Sequence, residues 1–219
     1  LHYWELSGDR SLLSDLLPAA RRNVDAMLAR TSEAGVADDL GWAFVDWGYI
    51  RNSGPTDMAL NLHVLRALRD MVRWEHAVGD TKEGARFSQR ADALEKLIRT
   101  WLNQELGTSR DWSKVGYHRA ALALLAGLVG ESEKAACASF IKRYLLTCFP
   151  NDPNGPRLSD PGVSSDRIMT PYFAHFAFTA LLEMGEIDFV LGQYRKCWGW
   201  ALGGGRTTWL EVFDPRWSH

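Results

Sequence analysis

A glycine followed by an acid recurs at four places in the chain: Gly8-Asp9, Gly79-Asp80, Gly130-Glu131 and Gly185-Glu186. Each time an apolar segment precedes it (LHYWELS, MALNLHVLRALRDMVRWEHAV, YHRAALALLAGLV, TPYFAHFAFTALLEM). Each time a more amphipathic segment follows (SLLSDLLPAARRNVDAMLAR, KEGARFSQRADALEKLIRTWL, SEKAACASFIKRYLLTCF, IDFVLGQYRKCWGWAL). Glycine takes the left-handed conformation that closes a helix without a Cβ clash, and a carboxylate accepts from the free N–H groups that open the next one. The pattern predicts helical hairpins with tight turns, repeated along the chain.

Two kinds of helix follow from the residue patterns. The first member of each pair is apolar nearly all round, as a helix buried on most sides must be. The second spaces Phe87, Ala91, Leu94, Leu97, Ile98 and Trp101 among charges, as an outer helix does. Inner helices ringed by outer ones make an all-α (α/α) toroid; an open stack of helix pairs is the structural alternative. Connectors within pairs are short. Those between pairs are long: Thr31 to Thr56, Asn103 to Gly116, Pro150 to Thr170, and Gly203 onward. In an up-down arrangement the long ones emerge at one end, where function usually sits.

Those connectors hold carboxylates beside tryptophans. The first carries Asp38, Asp39, Trp42, Asp46, Trp47 and Tyr49, the second Asp111 and Trp112, the third Asp152, Asp160 and Asp166, and the last Trp209, Glu211, Asp214 and Trp217. Ten tryptophans in 219 residues is several times the ordinary share. Indole faces pack on the C–H side of a sugar ring, and carboxylates bind hydroxyls or move protons. Polar loop tips over an aromatic core are the plainer reading of the same residues. A net charge of −2 without charge blocks argues against a nucleic-acid or anionic-membrane partner. The apolar run Ala120 to Gly130 is too short to span a bilayer. Cys137 and Cys148 fall about 16 Å apart on one predicted helix, too far to bridge, so the three cysteines are expected as buried thiols.

Two segments place an acid in apolar company. TTWLEVF is rich in strand formers, and extended backbone would put Trp209, Glu211 and Phe213 on one face. GWAFVDWG would likewise align Trp42, Phe44 and Asp46. A carboxylate held between aromatic walls has its pKa raised by desolvation, which suits proton transfer near neutral pH; a hydrogen-bonded structural acid fits the spacing equally.

The stretches SGDRSLLSDLLPAARR, FVDWGY, RAALALLAGLVGE and TPYFAHFAFTALLEMGEIDFVLGQYRKCWGWALGGGRTTWLEVFDPRWSH cover most of the chain. Together they resemble the catalytic domain of bacterial α-L-rhamnosidases of glycoside hydrolase family 78, which are six-hairpin glycosidases. The last stretch is the most specific: helix, Trp-Gly, glycine cluster, Thr-Thr and Trp/Glu keep the family's order. The resemblance implies an (α/α)6 barrel, and removal of terminal α-L-rhamnose with inversion by two carboxyl groups, without a cofactor. The family's general base follows a Thr-Thr-x-x stretch and falls on Glu211. Its Asp-Trp segment, lining the sugar subsite, falls on Asp46 and Trp47. Trp42 and Trp209 join the pocket beside these acids, Trp112 by loop order alone, and His219 is the one histidine the resemblance places nearby.

The resemblance puts the general acid in a segment before Leu1, and four turns account for about four of the six hairpins. The expectation is a single domain over 1–219, a fragment with the base side of the site and little activity alone. Inner-helix faces left bare would give either self-association, visible in gel filtration, or an incomplete, open toroid. No HxH, HExxH or Cys/His spacing supports a metal site, and His63, His118 and His175 read as satisfied core residues. The glycine cluster Gly203-Gly204-Gly205 follows a helix, so it is a cap and not a phosphate loop. Two rival functions stand beside rhamnoside hydrolysis: another six-hairpin glycosidase, and a non-catalytic module binding carbohydrate or protein. Localisation is open.

Overall fold

The computed structural model describes residues 2–33, 35–38, 44–49, 56–157, 166–205 and 210–214. They form α1 (His2–Ser7), α2 (Ser11–Leu28), α3 (Met58–Val78), α4 (Thr81–Leu106), α5 (Trp112–Val115), α6 (Tyr117–Leu125), α7 (Glu131–Leu146), α8 (Pro171–Glu183) and α9 (Ile187–Gln193). From α9 the chain runs through a π-helical stretch, Tyr194–Trp198, into α10 (Gly199–Gly203). Among the described residues there is no strand; Thr31 and Ala37 make an isolated antiparallel bridge. The expected helix pairs are present in order, and α5 is an extra turn of helix inside the second long connector. None of the described helices is long and apolar enough to cross a membrane.

Three of the four glycines do close their helix in the left-handed region: Gly8 (φ 72°), Gly79 (φ 90°) and Gly185 (φ 79°). Behind Gly79 the Asp80 N–H reaches back to the Glu75 carbonyl, and behind Gly185 the Glu186 N–H reaches Leu181, the closure that satisfies carbonyls at a helix end. The third turn differs. Gly127 (φ 65°) ends α6, with the Leu128 N–H bonded to the Ala123 carbonyl, while Gly130 is extended at the start of α7. Leu128 and Val129 are buried, so the core holds the linker and the helix stops three residues early.

The acids divide similarly. Asp80 Oδ1 accepts from the Glu83 N–H at 3.0 Å, as an N-terminal cap requires, whereas Asp9 lies one residue ahead of the Arg10 cap position and its Oδ1 accepts from the Ser11 N–H at 2.9 Å. Glu131 instead lies within the first turn of α7, where it favours the helix dipole. Glu186 makes no cap bond; it accepts from Lys142 Nζ of α7 at 2.6 Å.

The chain forms two compact units: Leu1–Ala43 with Asn52–Asn103, and Phe44–Arg51 with Gln104–His219. In the first, α2 packs on α3, and the Trp74 indole N–H donates to the Leu13 carbonyl at 2.9 Å. Glu75 of α3 is wholly buried. Arg21 of α2 holds it with two bonds, Nε to Oε1 at 2.7 Å and Nη2 to Oε2 at 2.5 Å. Nη2 also donates to Asp80 Oδ2 at 2.7 Å, so a single guanidinium ties α2 to α3 and to the turn after it.

His63, also on α3, is half-buried, and burial first, then the Arg66 charge, depress its pKa to about 4 against an opposing Asp57. An unfolded histidine titrates near ~6.5. Between those values the unfolded chain carries a proton that the folded chain refuses, so stability falls as pH falls through the window. His63→Gln is expected to remove about 2 kcal/mol of the loss between pH 7 and pH 5. Urea unfolding at both pH values checks this; equal losses in parent and variant would refute it.

In the second unit α6 packs against α7 and α8, and α8 against α9. Phe173, Ala174, Ala177, Phe178 and Leu181 are buried along α8 facing the alanine-rich, buried α6.

Candidate active site

The segment 44–49 lies flush on the second unit, and its glycine explains how. A Cβ on Gly48 would stand 2.7 Å from the Ile168 carbonyl oxygen and 3.0 Å from Ile168 Cβ, closer than any side chain tolerates. The Tyr49 N–H donates back to the Asp46 carbonyl at 3.2 Å, closing the turn. This is not the alternating extended segment expected from the sequence: Phe44 is 45% exposed, while both Val45 and Asp46 are buried. The turn replaces the pleat, so neighbours no longer point to opposite faces.

Asp46 is the buried acid of the segment. Its Oδ1 accepts from the Thr170 hydroxyl at 2.6 Å, and its Oδ2 lies 2.8 Å from His118 Nε2. The acceptor role of the carboxylate makes Nε2 the protonated nitrogen. Thr170 is the N-cap of α8, with Pro171 at the first helical position, and its Oγ1 accepts from the Phe173 N–H at 3.0 Å. The His118 ring is boxed by Tyr49, Tyr117 and Phe173 at centroid distances of 5.4, 4.8 and 4.3 Å.

Glu211 lies across from this segment. It is exposed, whereas Leu210, Val212, Phe213 and Asp214 are all buried. Residues 211–213 bend, and the Asp214 N–H returns to the Val212 carbonyl at 2.9 Å, so the strand-like alternation expected here is absent too. Val212 packs with Ile168 and the partly buried Trp47. Phe213 turns inward, edge-on to Trp198 at 4.9 Å and to Trp200 at 6.4 Å. Trp198 closes the π-helical stretch, a distortion often found at functional sites, and also meets Phe178 and Tyr194. With its neighbours anchored, Glu211 Oε2 accepts from the Trp47 indole N–H at 3.3 Å. Among the described residues the acid therefore stands at the surface against the Trp47 indole, and Phe213 does not wall its other side.

The remaining sequence candidates are scattered. Trp112 opens α5 and is only 4% exposed, its indole N–H unpaired among the described residues. Asp111 caps that helix through the Ser113 N–H at 3.0 Å, a bond that holds its pKa low. Trp42, Trp209 and His219 lie outside the described residues. His118 is the satisfied core histidine expected, but His175 is exposed. Cys137, Cys148 and Cys197 are free and buried, and burial raises all three thiols, Cys197 to about 12.

A small cleft of about 60 Å³ opens where Gly48, Tyr49, Tyr117, His118, Tyr144 and Asp166 meet. Neither Glu211 nor Trp47 lines it. Burial raises the pKa of Tyr117 and Tyr144, so both phenols remain protonated donors at working pH. Tyr144 already accepts from the Arg167 N–H at 2.9 Å.

An all-helical chain of successive hairpins, with an acid and an indole paired on its long connectors, has the layout of a hairpin-type glycosidase. Among solved structures it is similar to a rhamnosidase from Klebsiella oxytoca with rhamnose bound, at 23% identity and a TM-score of 0.69, over 98% of this chain and 39% of that one. It is also similar to the GH78 family rhamnosidase of Bacillus sp. GL1, at 23% identity and a TM-score of 0.67, over 97% of this chain and 22% of that one. These likenesses establish the fold, and the chain spans well under half the length of either structure. A search of the curated proteins finds no match. The family described as bacterial alpha-L-rhamnosidase 6 hairpin glycosidase domain matches residues 1–217, and the chain belongs to it.

Proposed function

We propose that this chain contributes the base side of an active site that hydrolyses terminal α-L-rhamnosides with inversion. The observation that carries the reading is the Trp47 N–H on the exposed Glu211 carboxylate, at 3.3 Å. One Glu211 oxygen is oriented by the indole, which leaves the other for a water molecule. In the inverting reaction Glu211 takes a proton from that water as its oxygen bonds to the anomeric carbon. The glycosidic C–O bond breaks on the opposite face, and an acid protonates the departing oxygen. Trp47, partly exposed, supplies an indole edge and face to the sugar, with Trp42, Trp209 and His219 as further candidates for that pocket.

Asp46 and Trp112 have a different part in this reading. With both oxygens of Asp46 engaged by protein and Trp112 in the core, neither contacts sugar directly. The test is made on the full-length enzyme, with an aryl α-L-rhamnoside and NMR of the first-formed product. β-L-Rhamnose is expected to appear first and then mutarotate; initial α-anomer would overturn inversion. Release from some other glycoside, with none from the rhamnoside, would favour a six-hairpin glycosidase of different specificity.

A further inference from the structure

Asp46 and Trp47 are consecutive, yet one is buried and clamped while the other reaches the surface to meet Glu211. The turn that carries them is fixed at both ends. Gly48 is wedged against Ile168, and the Asp46 carboxylate is bound through both oxygens. The Trp47 ring between them lies on Ile168 and Val212. Its N–H meets Glu211 at 3.3 Å, the long end of the hydrogen-bond range, so a small displacement of the turn breaks the contact.

We propose that Thr170 and His118 are positioning residues for the base: by holding both oxygens of Asp46 they set the Trp47 indole where its N–H orients Glu211. The inference rests on Glu211 acting as the base. Thr170 is suited to the task because its hydroxyl serves twice. The oxygen accepts from the Phe173 N–H at the start of α8, and the single proton goes to Asp46. His118 does the same from α6, its ring held by three aromatic neighbours and its Nε2 directed at the carboxylate. Two helix starts thereby fix one loop carboxylate, and the loop carries the donor to the surface.

The experiment uses the full-length enzyme and an aryl α-L-rhamnoside, with kcat and KM measured well below the melting temperature of each variant. Thr170→Val removes the proton given to Asp46 and is expected to lower kcat about tenfold or more while KM changes less than about twofold, since misplacement of a reacting group by ~1 Å can cost ~100-fold. Thr170→Ser keeps the hydroxyl and should restore most of the loss. His118→Leu should behave like Thr170→Val, and His118→Gln, which keeps an N–H, should lose less. Trp47→Phe removes the final donor, so adding Thr170→Val to it should cost little more; coupled residues are non-additive.

Folded Thr170→Val and His118→Leu variants with parental kcat would overturn the inference, as would losses that multiply in the double variant. Should Thr170→Val fail to fold, His118→Leu with Trp47→Phe makes the same cycle. Glu211→Gln is run beside them. If that variant keeps its turnover, the reading of Glu211 fails. If it is inactive while the Thr170 and His118 variants are unaffected, the positioning inference fails alone.

Discussion

Glu211→Gln is expected to lower kcat of the full-length enzyme on an aryl α-L-rhamnoside by roughly 10²–10⁴-fold, the usual contribution of a positioned general base. The substitution is nearly isosteric. A glutamine oxygen still accepts from the Trp47 N–H, so the local arrangement survives while the ability to take a proton from water is lost. KM should therefore change little, because sugar contacts are kept and only a transition-state interaction is removed. Glu211 is exposed, so the fold should tolerate the change. Steady-state kinetics with a melting curve separate these effects, and turnover near that of the parent would remove Glu211 from the mechanism.

The second large effect concerns stability. Arg21→Met is expected to cost about 3 kcal/mol, because it strands the fully buried Glu75 carboxylate without its two charge-assisted hydrogen bonds. Arg21 is itself partly exposed, with 31% of its side chain accessible, so its own desolvation is modest while that of Glu75 is complete. For a chain of this size the loss corresponds to a fall of about 6–12 °C in melting temperature. A double variant with Glu75→Leu should recover much of it, since an apolar pair leaves no unpaired charge behind. A double variant as unstable as the single one would show that the guanidinium matters for some other reason, such as its bond to Asp80.

The hairpins were legible because their determinants are local. A glycine in the left-handed region and a change of apolar periodicity act within a few residues, and three of the four turns form where they were expected. The fourth moved because Gly127 lies close to Gly130 and the core preferred to bury Leu128 and Val129 between them. What the sequence could not show is pairing at long range. Where these two stretches, TTWLEVF and GWAFVDWG, are described, at 210–213 and 44–48, strand propensity gave way to turns and bends held by Ile168, Trp198 and Trp200. Asp46 was visible as a site acid, but its partners come from 72 and 124 residues away. A signal did exist in Thr170-Pro171, a helix start whose threonine has a proton to give. Glu75 was hidden in plain view, an acid in an apolar helix opposite an arginine of the preceding one.

The contact between Trp47 and Glu211 joins positions 164 residues apart. At ribosomal rates of ~5–20 residues per second, the indole waits roughly 8–30 s for the carboxylate to be synthesised. Helices α3 to α10 are synthesised in that interval. The indole is thus in place well before the acid that accepts its N–H, and a nascent chain interrupted after α10 would carry a helical scaffold with a tryptophan still awaiting its acid.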